Sequence, residues 1–194
     1  APADGAALTM SLTCLLAPNA SAHEHEMTPA QTTALAQADV MAVSGVDLEH
    51  FLDDAVVSSG FKGRMVVTSG VLTAADIDNP GTPDPEGAYT IDRGSERVDV
   101  APWPFPPEEA GEEPEFRFDP HVWTSPKGAR IQVANLGAGL AAAAPDAASS
   151  INAATASYLE DIDALDQWAA EAIATVPEGQ RVLFTSHDAF GYFS

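Results

Sequence analysis

Two hydrophobic periods alternate along this chain, and the switches between them outline a strand and helix order. Residues 7–16 (ALTMSLTCLL) are almost continuously apolar or β-compatible up to Pro18 and Asn19, which predicts a strand. A helix follows, because Thr28 suits an N-cap, Pro29 the first helical position and Gln31 the third, completing a capping box. Leu35 marks its apolar side, and the pattern gives way near Asp39 to a strand over Val40–Val43. Leu48, Phe51, Leu52, Ala55 and Val56 then recur at three-to-four spacing, predicting a second helix over residues 48–59, with another short strand at 65–68. Strands alternating with helices imply an α/β fold with a parallel sheet, in which ligands bind beyond the carboxyl ends of the strands.

From residue 70 to 118 the periodicity is replaced by a Pro-, Gly- and acid-rich stretch containing NPGTPDPEG and APWPFPPEEAGEEPEF. It reads as an unusually long loop with a short hairpin at 88–100. Ser125 and Pro126 repeat the cap-then-proline start and open a helix to about Ala143. Pro145 starts another, along which Ile151, Tyr158, Ile162, Leu165, Ala169 and Val176 fall on one face. Such a helix would reach about 46 Å at about 1.5 Å per residue, longer than a small domain is wide, so it is expected to join two lobes. Residues 181–187 (RVLFTSH) read as a strand with His187 at its carboxyl end.

The expected organisation is a first α/β lobe at 1–144 with the acidic insertion at about 70–118, a connecting helix at 145–176, and the first strand of a second α/β lobe within 177–194. The sequence is thus expected to be part of a longer protein.

Charge changes the picture by exclusion. Eight basic against 29 acidic residues leave a net charge of −21, which repels nucleic-acid phosphates and anionic membrane surfaces. No apolar run approaches the roughly 20 residues that span a bilayer. Cys14 is the single cysteine, so no intrachain disulfide forms, and its place in the first apolar run predicts a small buried hydrophobe. Ser11, Leu12 and Thr13 before it make a poor lipoprotein cleavage box.

The candidate chemistry is carried by histidine. His23 lies in SAHEHEMTP, His121 in DPHVWTSP and His187 in TSHDAFGYF, separated by 98 and 66 residues. Any shared site must therefore be assembled by the fold, which excludes a zinc finger. Three imidazoles suit zinc, copper, iron or nickel and leave one tetrahedral position for a carboxylate or water. His25 competes with His23, because two residues along an extended segment return to the same side. His50, between Glu49 and Phe51, reads as a surface residue. Asp119 and Asp188 flank two of the histidines and either orient the imidazoles or cap helices. Trp123, Phe190 and Tyr192 read as packing. A three-histidine zinc hydrolase would need a positioned base and an oxyanion site, and neither motif is present.

From about residue 7 to 194 the chain resembles the cluster A-I zinc and manganese substrate-binding proteins of ABC transporters, most specifically in DPHVWTSP and TSHDAFGYF. The resemblance implies two α/β lobes on a long rigid helix, with metal held in the cleft between them. It carries His121 and His187 over as ligands. In the first motif Ser21 and Ala22 replace the family's Asp-Pro and Met27 replaces a Pro, and alignment through Glu26, Thr28 and Pro29 places His23 on the third ligand position. A histidine at 187, where manganese-preferring members tend to have Glu, implies Zn²⁺ over Mn²⁺, with an Asp or Glu beyond residue 194 as fourth ligand. The implied function is a monomeric, non-enzymatic zinc receptor, periplasmic or extracellular, with or without a lipid anchor. It would deliver Zn²⁺ to the membrane permease of an ABC importer, although relatives have also been described as surface adhesins.

Overall fold

A computed structural model describes residues 10–18, 20–23, 25–49, 51–81, 83–84, 87–107, 114 and 116–193. The elements are α1 (Pro29–Ala36), β1 (Val40–Val43), α2 (Leu52–Ser59), β2 (Arg64–Val67), α3 (Ala74–Asp78), β3 (Thr90–Asp92), α4 (Pro126–Ala143) and α5 (Ala148–Ala174). The strands form one sheet in the order β1-β2-β3, parallel throughout, with Val40 opposite Arg64 and Arg64 opposite Thr90.

Local signals account for the helix starts. The Thr28 hydroxyl accepts from the Gln31 amide while the Gln31 side chain accepts from the Thr28 amide at 2.7 Å, so two orphan N–H groups are satisfied together. At α4 the Ser125 hydroxyl accepts from the Gly128 amide at 3.1 Å and Pro126 occupies the first turn. α2 starts later than its apolar pattern suggests. Val46 and Asp47 adopt left-handed backbone angles, φ 57° and 56°, and residues 46–49 form a turn ahead of it.

β2 is covered on both faces, as parallel strands require. Met65 and Val67 join Leu35, Met41, Val43, Leu52, Val56 and Phe61 in one core cluster beneath α1 and α2. Val66, fully buried, faces α4, where a Cβ on Gly139 would sit 2.5 Å from its Cγ2. Each such valine contributes about 1.5–3 kcal/mol relative to an exposed one. Gly137 makes the matching approach on the α5 side, since a Cβ there would meet the Thr155 hydroxyl at 2.3 Å.

Several expectations are corrected. Residues 10–16 form no strand and Cys14 is exposed. That run has no ladder partner among the described residues, so Leu12 stays 78% exposed, although Leu15 packs against the first cluster. Residues 7–9 lie outside the described ones. The acidic stretch contains α3 and a third parallel strand instead of a hairpin at 88–100. α3 supplies the crossover that a parallel return needs, and the Arg64–Asp92 ion pair at 2.8 Å ties the new strand to β2.

Arg93 just beyond β3 bonds Asp76 of α3. Burial raises the Asp76 carboxyl, but Arg93 and the Leu72 and Thr73 amides outweigh it and hold the group below the usual carboxylate range.

Residues 181–187 are irregular and exposed rather than a strand, because no described strand lies beside them to complete a ladder. The long helix is present as α5, 27 residues, bound to α4 through Gly137 and the Arg130–Asp163 pair. On its expected apolar face Ile162 and Ala169 are buried while Tyr158 and Leu165 are exposed. No helix among the described residues is long and apolar enough to cross a membrane.

Candidate metal centre

Three irregular segments converge beside the sheet. His23 sits in a bend ahead of α1, His121 at the start of the short 3-10 turn Val122–Thr124 that leads into α4, and His187 in a bend after α5. Their ligand nitrogens all lie within 4.8 Å of one another, with His23 half-buried, His121 buried and His187 exposed. The His121 Nε2 is 3.3 Å from the His23 Nε2 and 3.0 Å from the His187 Nε2. Neighbouring ligands on a tetrahedral zinc, each about 2.0–2.1 Å from the metal, are about 3.3 Å apart, so these spacings match the edges of such a polyhedron.

His121 is the most constrained of the three. Asp119, 3% exposed, places its Oδ1 3.0 Å from the His121 amide and 2.7 Å from the His121 Nδ1. A carboxylate there selects the tautomer with hydrogen on Nδ1 and turns the Nε2 lone pair toward the other imidazoles. Of the two readings open for Asp119, the structure supports imidazole orientation, while Asp188 is exposed. The Thr124 hydroxyl donates to the His121 carbonyl at 2.8 Å, fixing the turn.

Aromatic rings enclose the imidazoles. Phe116, buried, lies 5.0 Å from His23 between ring centres, Trp103 6.0 Å from His121, and Trp123 5.5 Å from His121. Trp103 and Phe116 both come from the acidic stretch, whose ends are zipped by the Trp103 amide donating to the Arg117 carbonyl and the Asp119 amide to the Ala101 carbonyl. The composition of that stretch hid this role: two aromatics among prolines and glutamates carry no periodicity.

His25 lies outside the cluster, with its ring edge-on to Phe51 at 4.9 Å. The reading of His50 falls on a residue outside the described ones. Tyr192 does more than pack. Its hydroxyl donates to the Asp119 carbonyl at 2.6 Å and accepts from the Ala101 amide at 3.1 Å. Burial, with lesser contributions from Asp119 and Asp99, outweighs the Ala101 amide and pushes its pKa up to about 12, so it stays protonated at ordinary pH.

Comparison with known proteins agrees with this architecture. The family model described as "Zinc-uptake complex component A periplasmic" matches residues 6–194, and the chain belongs to that family. The manganese-binding lipoprotein MntA of Bacillus subtilis (strain 168) is 29% identical over 184 residues, covering 95% of this chain and 50% of its own. The metal ABC transporter substrate-binding lipoprotein FimA of Streptococcus parasanguinis is 28% identical over 172 residues, 89% of this chain and 47% of its own. Zn(II)-bound AdcA from Streptococcus pneumoniae superposes with a TM-score of 0.65 at 22% identity, over 92% of this chain and 31% of its own, which supports the fold. The chain spans about half the length of the curated relatives it matches. Members of the family are metal-binding transport proteins, not enzymes.

Proposed function

We propose that this chain is the metal-capturing part of an extracytoplasmic zinc receptor that passes Zn²⁺ to the permease of an ABC importer, with His23, His121 and His187 as ligands. The observation that carries the reading is the convergence of three imidazole nitrogens within 4.8 Å, from segments far apart in sequence. The Asp119 carboxylate supports it, because metal-ligating histidines characteristically donate their second nitrogen to such a group. Relatives bearing manganese-binding, zinc-bound and ABC-transporter descriptions support metal transport as the setting. Three nitrogen donors favour zinc over manganese, which prefers oxygen. In this reading residues 1–144 form the first lobe, 145–176 the connecting helix and 177–194 the start of the second lobe. The receptor acts as a monomer outside the cytoplasmic membrane, where the lipoprotein relatives suggest an anchor.

The test is a competitive titration with Zn²⁺ and Mn²⁺ across pH. One zinc per chain is expected, displaced by manganese only at large excess. Binding should weaken progressively as pH falls below about 6, because protons compete for the imidazole lone pairs and metal binding must expel them. Manganese binding as tight as zinc binding, or zinc affinity flat from pH 7 to 5, would remove the three-imidazole zinc site.

The choice between the two histidines of SAHEHEMTP has its own check. His23→Ala should lose tight zinc binding and His25→Ala should retain it, since His25 is turned onto Phe51. The opposite result by calorimetry would transfer the ligand role to His25.

A further inference from the structure

His187 is the exposed member of the cluster, and residues 181–188 around it are exposed throughout. Just beyond it, Ala189 is buried and Tyr192 packs against the cluster of Val46, Val71, Val98 and Val122.

Tyr192 reaches the opposite side of the site through its hydroxyl. Ala101 and Asp119 face each other beside the isolated antiparallel bridge between Pro102 and Phe118, and one direct bond joins them, from the Asp119 amide to the Ala101 carbonyl at 2.9 Å. In an ordinary antiparallel hydrogen-bonded pair the reciprocal bond would run from the Ala101 amide to the Asp119 carbonyl. Here the Tyr192 hydroxyl occupies that place, accepting from Ala101 and donating to Asp119. The next residue back lies equally close: a Cβ on Gly191 would sit 2.6 Å from the Asp119 Oδ2. The other oxygen of that carboxylate, Oδ1, holds the His121 imidazole. The segment carrying His187 is thus hooked onto the same aspartate that orients His121.

We propose that Tyr192 is a positioning residue, a tether that holds His187 within ligating distance of His121 and thereby sets how fast a bound metal leaves. The proposal rests on the three-histidine reading above. Phenylalanine at 192 keeps the ring and its packing but leaves the Ala101 amide and the Asp119 carbonyl free to close on each other, which shifts Asp119 and lets the 189–193 segment drift.

The test uses the complete protein loaded with zinc and mixed rapidly with excess chelator. Tyr192→Phe should release zinc about tenfold faster than wild type, the lower end of what loss of a supporting contact costs a metal site. The one-to-one stoichiometry should stay as in wild type, and the melting temperature of the zinc-loaded protein should fall further than that of the metal-free protein. Gly191→Ala, whose methyl must displace the turn from Asp119, should accelerate release in the same way, and it decides the matter if Tyr192→Phe does not fold. Release at the wild-type rate in the folded variants would overturn the tether. A fall in the metal-free melting temperature as large as that of the loaded protein would also overturn it, by making the hydroxyl a general support of the fold. His121→Ala, run alongside, separates the two ideas. If it still binds zinc like wild type, the three-histidine site itself is wrong; if it does not while Tyr192→Phe releases normally, only the tether fails.

Discussion

His121→Ala is expected to weaken zinc binding by more than about a hundredfold, because residues that merely orient a ligand already cost about 10- to 100-fold when removed. The substitution acts at the hub of the cluster, since the His121 Nε2 lies within 3.3 Å of both other imidazoles. It should also destabilise the metal-free protein by roughly 1–3 kcal/mol, the cost of leaving the buried Asp119 carboxylate with one partner fewer. His187→Ala supplies the contrast. Its side chain is exposed, so affinity should fall with little change in metal-free stability. Calorimetric titration together with thermal melts of the two variants distinguishes the roles. Equal stability losses would contradict the buried, aspartate-held assignment of His121, and wild-type affinity in His121→Ala would contradict the site.

Asn135→Leu should cost roughly 3–6 kcal/mol of folding stability, a large share of the 5–15 kcal/mol typical of a domain. Asn135 is 1% exposed in the middle of α4. Its amide donates to the Thr68 carbonyl at 2.9 Å and to the Glu96 carbonyl at 2.8 Å, while its oxygen accepts from the Glu96 amide at 3.1 Å. Leucine is close in size but satisfies none of these, so the buried Thr68 carbonyl and two partly buried backbone groups of Glu96 lose their partner. Urea denaturation measures the effect. A loss below about 1 kcal/mol would mean that water or a shifted loop takes over all three bonds.

Asn135 also shows where sequence reading stops. A single asparagine inside an apolar helix pattern looks like a surface position, and its partners at Thr68 and Glu96 are 67 and 39 residues away. The same holds for the Tyr192 hydroxyl, whose contacts are 91 and 73 residues away. By contrast α1, α4 and α5 were legible because caps, prolines and three-to-four spacing act within a turn or two.

Strands divided along the same line. Val40–Val43 could be read from its own residues, and its Met41 and Val43 are buried. Residues 10–16 and 181–187 have equally strand-like composition, yet a strand exists only where a neighbour offers a ladder. β3 escaped because three residues, Thr90–Asp92, make too short a pattern to distinguish a parallel return from a hairpin. The three histidines were recognisable by their flanking motifs, and their mutual distance could be supplied only by the fold.

Two of the glycines of α4, Gly137 and Gly139, have a mechanical consequence. With Gly139 against Val66 of β2 and Gly137 against Thr155 of α5, sheet, helix and helix meet at near-backbone contact, without long side chains to act as cushions. Layers pressed together this closely cannot slide past one another by a fraction of a residue without collision, because close-packed interiors transmit strain instead of absorbing it. α5 is held against α4 here and again further along, where Arg130 pairs with Asp163 and where Ile162 and Ala169 are buried. Force applied at its far end is therefore carried into the sheet through several points of the α4–α5 seam, as by a built-in beam.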